Sequence, residues 1–194
     1  MNVIILLALL SFFSCEEKQT NDGKVQISGT IENAPAGAVI LSQFTDSRPK
    51  VLDTLQLDDK GKFSYEVAVD SPTFYELNLY SQKSVRLALF KDDVEVTYDF
   101  SEPESLAIKG SKDSQEMLKI EKLMEEYQAK VNALNEAYYK AMGDNNTEEI
   151  KKIQTDAMAL ESNQSTEVKK VINSMGDSFA SLAAIGLLNP KNEF

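Results

Sequence analysis

Residues 94–124, VEVTYDFSEPESLAIKGSKDSQEMLKIEKLM, hold the point at which the chain changes its period. Up to Lys109 apolar and polar residues alternate. Val94, Val96 and Tyr98 stand between acids and a threonine, the pattern of a strand with one buried and one wetted face. After Gly110 the spacing becomes three and four, through Met117, Ile120 and Met124, which gathers the apolar side chains on one stripe of a helix. A β region therefore ends near Gly110 and a helical region begins.

Upstream of the switch, residues 25–109 fall into short segments rich in Val, Ile, Leu, Phe, Tyr and Thr, separated by turn residues about every ten positions. That spacing predicts a sandwich or barrel, with strands near 25–32, 38–44, 50–57, 62–69, 73–80, 85–90, 94–100 and 106–109. Phe63, Tyr65, Val67 and Val69 alternate clearly. The turns carry matching chemistry at Pro35-Ala36-Gly37, Asp58-Asp59-Lys60-Gly61 and Lys91-Asp92-Asp93, and Ser71-Pro72 separates two strands. No strand–helix–strand alternation occurs, which argues against a parallel nucleotide-binding sheet.

Downstream, Met117, Ile120, Met124, Tyr127, Val131, Leu134, Tyr138 and Ala141 form a narrow seam and predict one helix over 112–142. Gly143-Asp144-Asn145-Asn146 ends it, and Asn146 with Glu149 caps a second helix over 147–175. The second seam is Ile150, Ile153, Ala157, Leu160, the polar Gln164, Val168, Val171 and Met175. A loop this short between two helices of similar length permits only an antiparallel return within one chain. The register expected from the loop brings Tyr127 to Gln164 and Ile120 to Val171. A third helix is expected over 178–188, capped by Asp177 or Ser178 and ended by Pro190, with Phe179, Leu182, Ile185, Leu187 and Leu188 covered by the sandwich. The fold class is α+β: an antiparallel β-sandwich at 25–110, then a long antiparallel helical hairpin and a short C-terminal helix at 111–194.

The first fifteen residues, MNVIILLALLSFFSC, have a different character. Their apolar core is too short to span a hydrocarbon layer, which takes about 20 helical residues, and has the size of a signal-peptide h-region. Cys15, directly behind Ser14, resembles the lipobox cysteine of bacterial lipoproteins, whose thiol is acylated and before which the leader is cut. Phe12 stands where that family prefers Leu, and no Lys or Arg precedes the core. The resemblance implies a signal peptide at 1–15, lipidation at Cys15 and a membrane anchor. Residues 16–24, EEKQTNDGK, contain nothing apolar to bury and read as a flexible tether. Glu16 and Glu17 after the cysteine are similar to signals that send some Bacteroidetes-type lipoproteins to the outer membrane.

Composition removes several chemistries. The chain has no His, no Trp and one Cys, so there is no Ser-His or Cys-His nucleophile pair, no His-ligated zinc and no Cys-x-x-Cys couple. With 20 basic and 31 acidic residues the net charge is -11, which repels a phosphate backbone and excludes nucleic acid as a partner. Carboxylates remain as candidates, in the adjacent pairs Asp58-Asp59, Asp92-Asp93 and Glu125-Glu126. Neighbouring residues point to different faces, so these pairs read as solvated charge rather than an acid–base or calcium site. No catalytic residue, metal site or cofactor is expected. Tyr65, Phe74, Tyr75, Tyr80, Phe90 and Tyr98 could line a glycan-binding surface but suit core and cross-strand packing better.

ISGTIENAPAGAVIL (27–41), LDTLQLDDKGKFSYEV (52–67), VEVTYDF (94–100) and LAIKGS (106–111) resemble the N-terminal domain of unknown function of Bacteroidetes-type thiol-disulfide interchange lipoproteins. The helices with SLAAIGLL (181–188) are similar to the segment that follows it there. In those relatives a thioredoxin-like domain with Cys-x-x-Cys comes next, and no such motif occurs in these 194 residues. The resemblance implies a non-catalytic, lipid-anchored module of the cell envelope, facing periplasm or surface, acting as spacer or partner-binding domain. Two alternatives stand beside it. One is a free-standing lipoprotein that captures a glycan or peptide. The other is a fragment of an oxidoreductase whose redox domain lies beyond residue 194.

Overall fold

Alternating apolar residues make strands that bury one face, and two such faces must meet to exclude water. In the computed structural model, which describes residues 23–188, they do so as two four-stranded sheets. The strands are β1 (Lys24–Glu32), β2 (Val39–Gln43), β3 (Lys50–Leu55), β4 (Lys62–Ala68), β5 (Thr73–Leu79), β6 (Lys83–Leu89), β7 (Val94–Asp99) and β8 (Glu102–Gly110). One sheet has the order β4-β1-β7-β8 and the other β3-β2-β5-β6. Val25, Ile27, Val39, Leu41, Leu77, Leu87 and Val96 fill the space between them, all fully buried. Gly29 pairs with Phe63 across β1 and β4. A Cβ there would lie 2.7 Å from the Phe63 ring and 2.2 Å from the Val96 carbonyl oxygen, so only glycine lets the ring in.

Seven of the eight predicted strands are found close to their expected limits. β8 begins four residues early, at Glu102, and runs through Pro103. Proline is tolerated there because β8 is an edge strand whose outer N–H groups face no partner strand. The sandwich is antiparallel with one exception: β1 and β7 pair in parallel, Ile27 opposite Val94. The whole second sheet is formed by the chain between those two strands, so β7 re-enters the first sheet from the end at which β1 began.

The helices are α1 (Lys112–Gly143), α2 (Thr147–Met175) and α3 (Ser181–Ile185). Ser111 caps α1 by accepting the Ser114 N–H at 3.1 Å, and Asn146 caps α2 by accepting the Glu149 N–H at 3.1 Å. α1 and α2 pack as the expected antiparallel hairpin. Its seam is narrow: beyond the sandwich only Ala141, Ile153 and Val168 are buried. Gln164 donates to Met124 Sδ at 3.3 Å, one seam position nearer the sandwich than the Tyr127 expected for it. Ile120 and Val171 do share one cluster.

α3 is shorter than the expected 178–188. Ser181, Leu182 and Ala183 each donate to the residue three before, so the approach to it is a series of tight turns. Its N-cap is Ala180, not Asp177 or Ser178; Ser178 Oγ instead donates to Asp113 Oδ1 in the first turn of α1. Phe179 and the buried Ala180 and Ala184 pack with Phe74, Ala88, Met117, Ile120 and Met175 on the outer face of the second sheet. The cover expected for Leu182, Ile185 and Leu187 is absent, and all three face solvent.

Candidate functional site

β6 and β8 are edge strands on the same side of the sandwich, and an open edge exposes unpaired N–H and C=O groups. α1 lies along that opening. Ala88 of β6 donates its N–H to Ser114 Oγ at 3.0 Å, and its carbonyl accepts from Ser114 Oγ at 2.9 Å and Ser111 Oγ at 3.0 Å. Two residues along the strand, the Glu121 carboxylate stands against Arg86, with Oε1 3.8 Å from its Nε. At the start of the strand, Lys83 Nζ meets Glu125 Oε1 at 3.0 Å. The register fits because the rise from Ser114 to Glu125, about 16 Å at 1.5 Å per residue, matches Ala88 to Lys83, about 17 Å at 3.3 Å per residue. Helix side chains thus stand in for a missing strand.

Between α1 and β8 this leaves a cleft of about 210 Å³, lined in part by Lys83, Tyr98, Glu104, Leu118, Glu121 and Lys122. Glu121 is its unusual member, with a side chain only 18% exposed and an oxygen 3.8 Å from Arg86 Nε. Burial pushes its carboxyl up to about 7, although Arg86 and Lys83 oppose the shift; Glu125 adds to it. A carboxyl poised near neutrality could exchange a proton with a bound molecule. The cleft is smaller than the roughly 300 Å³ at which ligand pockets usually begin, and Glu121 is already engaged by the strand edge. Its arrangement is that of a clamp between helix and sheet.

The residues nominated by the sequence have structural tasks. Asp58 Oδ1 accepts from Lys60 N at 2.8 Å and Lys62 N at 2.9 Å, closing its turn, and these two N–H groups hold its carboxyl below the usual range. Asp93 Oδ1 accepts from Gln26 N at 2.8 Å. Glu125 holds Lys83, while Asp59, Asp92 and Glu126 are exposed. Tyr75 and Tyr98 are buried, Tyr65, Tyr80 and Phe90 pack against the same core, and Phe74 meets Phe179 with ring centroids 5.3 Å apart. Among the described residues no three potential metal ligands converge, and no helix is long and apolar enough to cross a membrane. Cys15 lies outside the described residues.

Sequence reasoning missed Ser111, Ser114 and Glu121. The serines left a signal in the pair Ser111-x-x-Ser114 at a helix start, which marks a cap but not the strand it also serves. Glu121 left none, since one acid beside a seam position resembles any other.

No curated protein matches the chain. The eight strands and the serine-bearing first turns of α1 form one interlocked unit, and that unit coincides with the stretch that matches a known family: residues 25–117 match the profile described as Domain of unknown function (DUF4369).

Proposed function

We propose that this chain is a non-catalytic, lipid-anchored module of the cell envelope that holds a helical arm away from the membrane for a protein partner, in the manner of the N-terminal part of a thiol-disulfide interchange lipoprotein. The observation that carries this reading is a polarity of the fold. The chain enters the sandwich at Gly23, beside Val69 at the end of β4. α1 starts at that same end, at Ala88, runs along β6 to Lys83 at the other end, and continues. The stretch from Glu125 to Gly143 extends roughly 27 Å further at 1.5 Å per residue. The point at which the chain enters the sandwich, Gly23, and the tip of the hairpin therefore lie at opposite ends of the described structure.

Support for the anchor comes from the short apolar core ending in Ser14-Cys15. Each buried methylene of an acyl chain contributes about 0.8 kcal/mol, so several chains hold a protein firmly in a bilayer. Intact mass of the chain extracted from membranes tests the anchor, with acylated Cys15 expected and an unmodified thiol fatal to it. The arm is tested by a photo-crosslinker placed at exposed Tyr139 near the tip, or at Tyr65 in the sandwich, in living cells. A discrete adduct from position 139 is expected. Adducts from position 65 alone would transfer the partner-binding role to the sandwich.

A further inference from the structure

We propose that the exposed apolar residues of α3 and its exit, Leu182, Ile185 and Leu187, form a second contact with the lipid surface, next to the anchor. This rests on the reading of Cys15 as the lipidated residue. Leu182 is 63% exposed, Ile185 51% and Leu187 37%, in a segment whose other side is sealed by Ala180 and Ala184 against the sheet. Such residues are normally buried, and Leu182 and Ile185, three positions apart on one face of the helix, call for an occupant.

Strand directions identify it. β1 begins and β4 ends at one end of the sandwich, where Val69 N donates to the Gly23 carbonyl at 2.8 Å. The short Asp70-Ser71-Pro72 connection starts β5 at this same end, and Thr73 there pairs with Leu89 at the end of β6. α3 packs on Phe74 and Ala88, the neighbours of that pair. The apolar patch and the point where the chain leaves toward Cys15 thus share one end of the molecule, and the hairpin tip occupies the other. Eight residue steps separate Cys15 from Gly23, a span of at most about 28 Å at 3.5 Å per residue. β1 and β6 stand one inter-sheet spacing of about 10 Å and two strand spacings of about 5 Å apart, well inside that reach. A chain held by Cys15 is therefore held with this end toward the bilayer. Exposed leucine and isoleucine side chains suit the headgroup–acyl boundary, which admits side chains to a depth of about 5–10 Å. With a net charge of -11 the molecule repels anionic headgroups, so the occupant is a zwitterionic lipid surface.

The chain has no tryptophan, so one introduced residue reports its own surroundings. The chain from Cys15 onward, carrying Ile185→Trp or, as a second choice, Leu182→Trp, is coupled through the Cys15 thiol to phosphatidylcholine vesicles containing some maleimide lipid. Emission should move to shorter wavelength on coupling and be quenched by brominated phosphatidylcholine, while Tyr139→Trp near the hairpin tip stays unquenched. Unshifted, unquenched emission from both α3 variants overturns the proposal, as does equal quenching of Tyr139→Trp. A concentration-dependent shift without lipid also overturns it and assigns the patch to a second copy. Because the tether is attached chemically, an unmodified Cys15 in native extracts would remove the anchor and leave this outcome readable by itself.

Discussion

Ser114 and Ala88, 26 positions apart, bond to each other in both directions: the hydroxyl accepts the Ala88 N–H at 3.0 Å and donates to the Ala88 carbonyl at 2.9 Å. One serine thus satisfies both backbone groups that the open edge of β6 leaves unpaired at a buried position.

Ser114→Ala removes the one acceptor that the Ala88 N–H has among the described residues, whereas the Ala88 carbonyl keeps Ser111 Oγ at 3.0 Å. A buried donor left without a partner costs about 1–3 kcal/mol, so urea denaturation should show a loss of about 2 kcal/mol. Ser111→Ala also loses the cap of α1, with a cost near 1 kcal/mol. The double variant should depart from the sum of the two, since both hydroxyls share one carbonyl. Strict additivity would show that the serines act separately.

Glu121 gives the fold a pH dependence of definite sign. Its folded carboxyl sits at about 7, above the ordinary 4.5, so the folded state binds the proton more tightly. The stability this confers is fully present below pH 4.5 and is lost as pH rises to about 7, by roughly 3 kcal/mol at 1.36 kcal/mol per pH unit. Glu121→Gln mimics the protonated form at nearly the same volume. Its melting temperature should exceed that of the native chain at pH 8 and equal it at pH 4.5. An equal difference at both pH values would place the effect in packing.

Gly29→Ala should be among the more damaging single-methyl additions in the sandwich. The added Cβ would meet the Val96 carbonyl oxygen at 2.2 Å, and backbone at the centre of a sheet has little room to give. Overpacking of this kind costs about 1–3 kcal/mol. Thermal unfolding that stays within error of the native chain would contradict the close approach of Phe63.

The hairpin register is tested at Met124 and Gln164, whose side chains meet at 3.3 Å. In a Cys15→Ser background, cysteines at both positions should be joined within one chain by a short bismaleimide. A shift to dimer mass on denaturing gels would mean that the seams pair between molecules.

The sequence by itself determined the element order, the type of each element and most of the ends. Burial alternates every second residue in a strand and every third or fourth in a helix, so the switch at Gly110 and the cap Asn146 were written locally. Even the seam was legible, down to the polar Gln164. Tertiary structure decided what joins distant segments. A strand's pattern is the same whether its neighbour runs parallel or antiparallel, so β1 beside β7 followed only from where the second sheet returns the chain. Pro103 reads as a strand breaker until β8 proves to be an edge, where its missing N–H costs nothing. Ser114 and Glu121 look like ordinary helix-surface residues until α1 is laid along β6, because the groups they meet belong to a strand about 30 residues away. Leu182 and Ile185 carry the composition of a core helix, yet the sheet beneath is already covered by Phe179, Ala180 and Ala184, and they are left facing outward. Periodicity states which side of an element avoids water; which surface then supplies the cover depends on the area the fold has left.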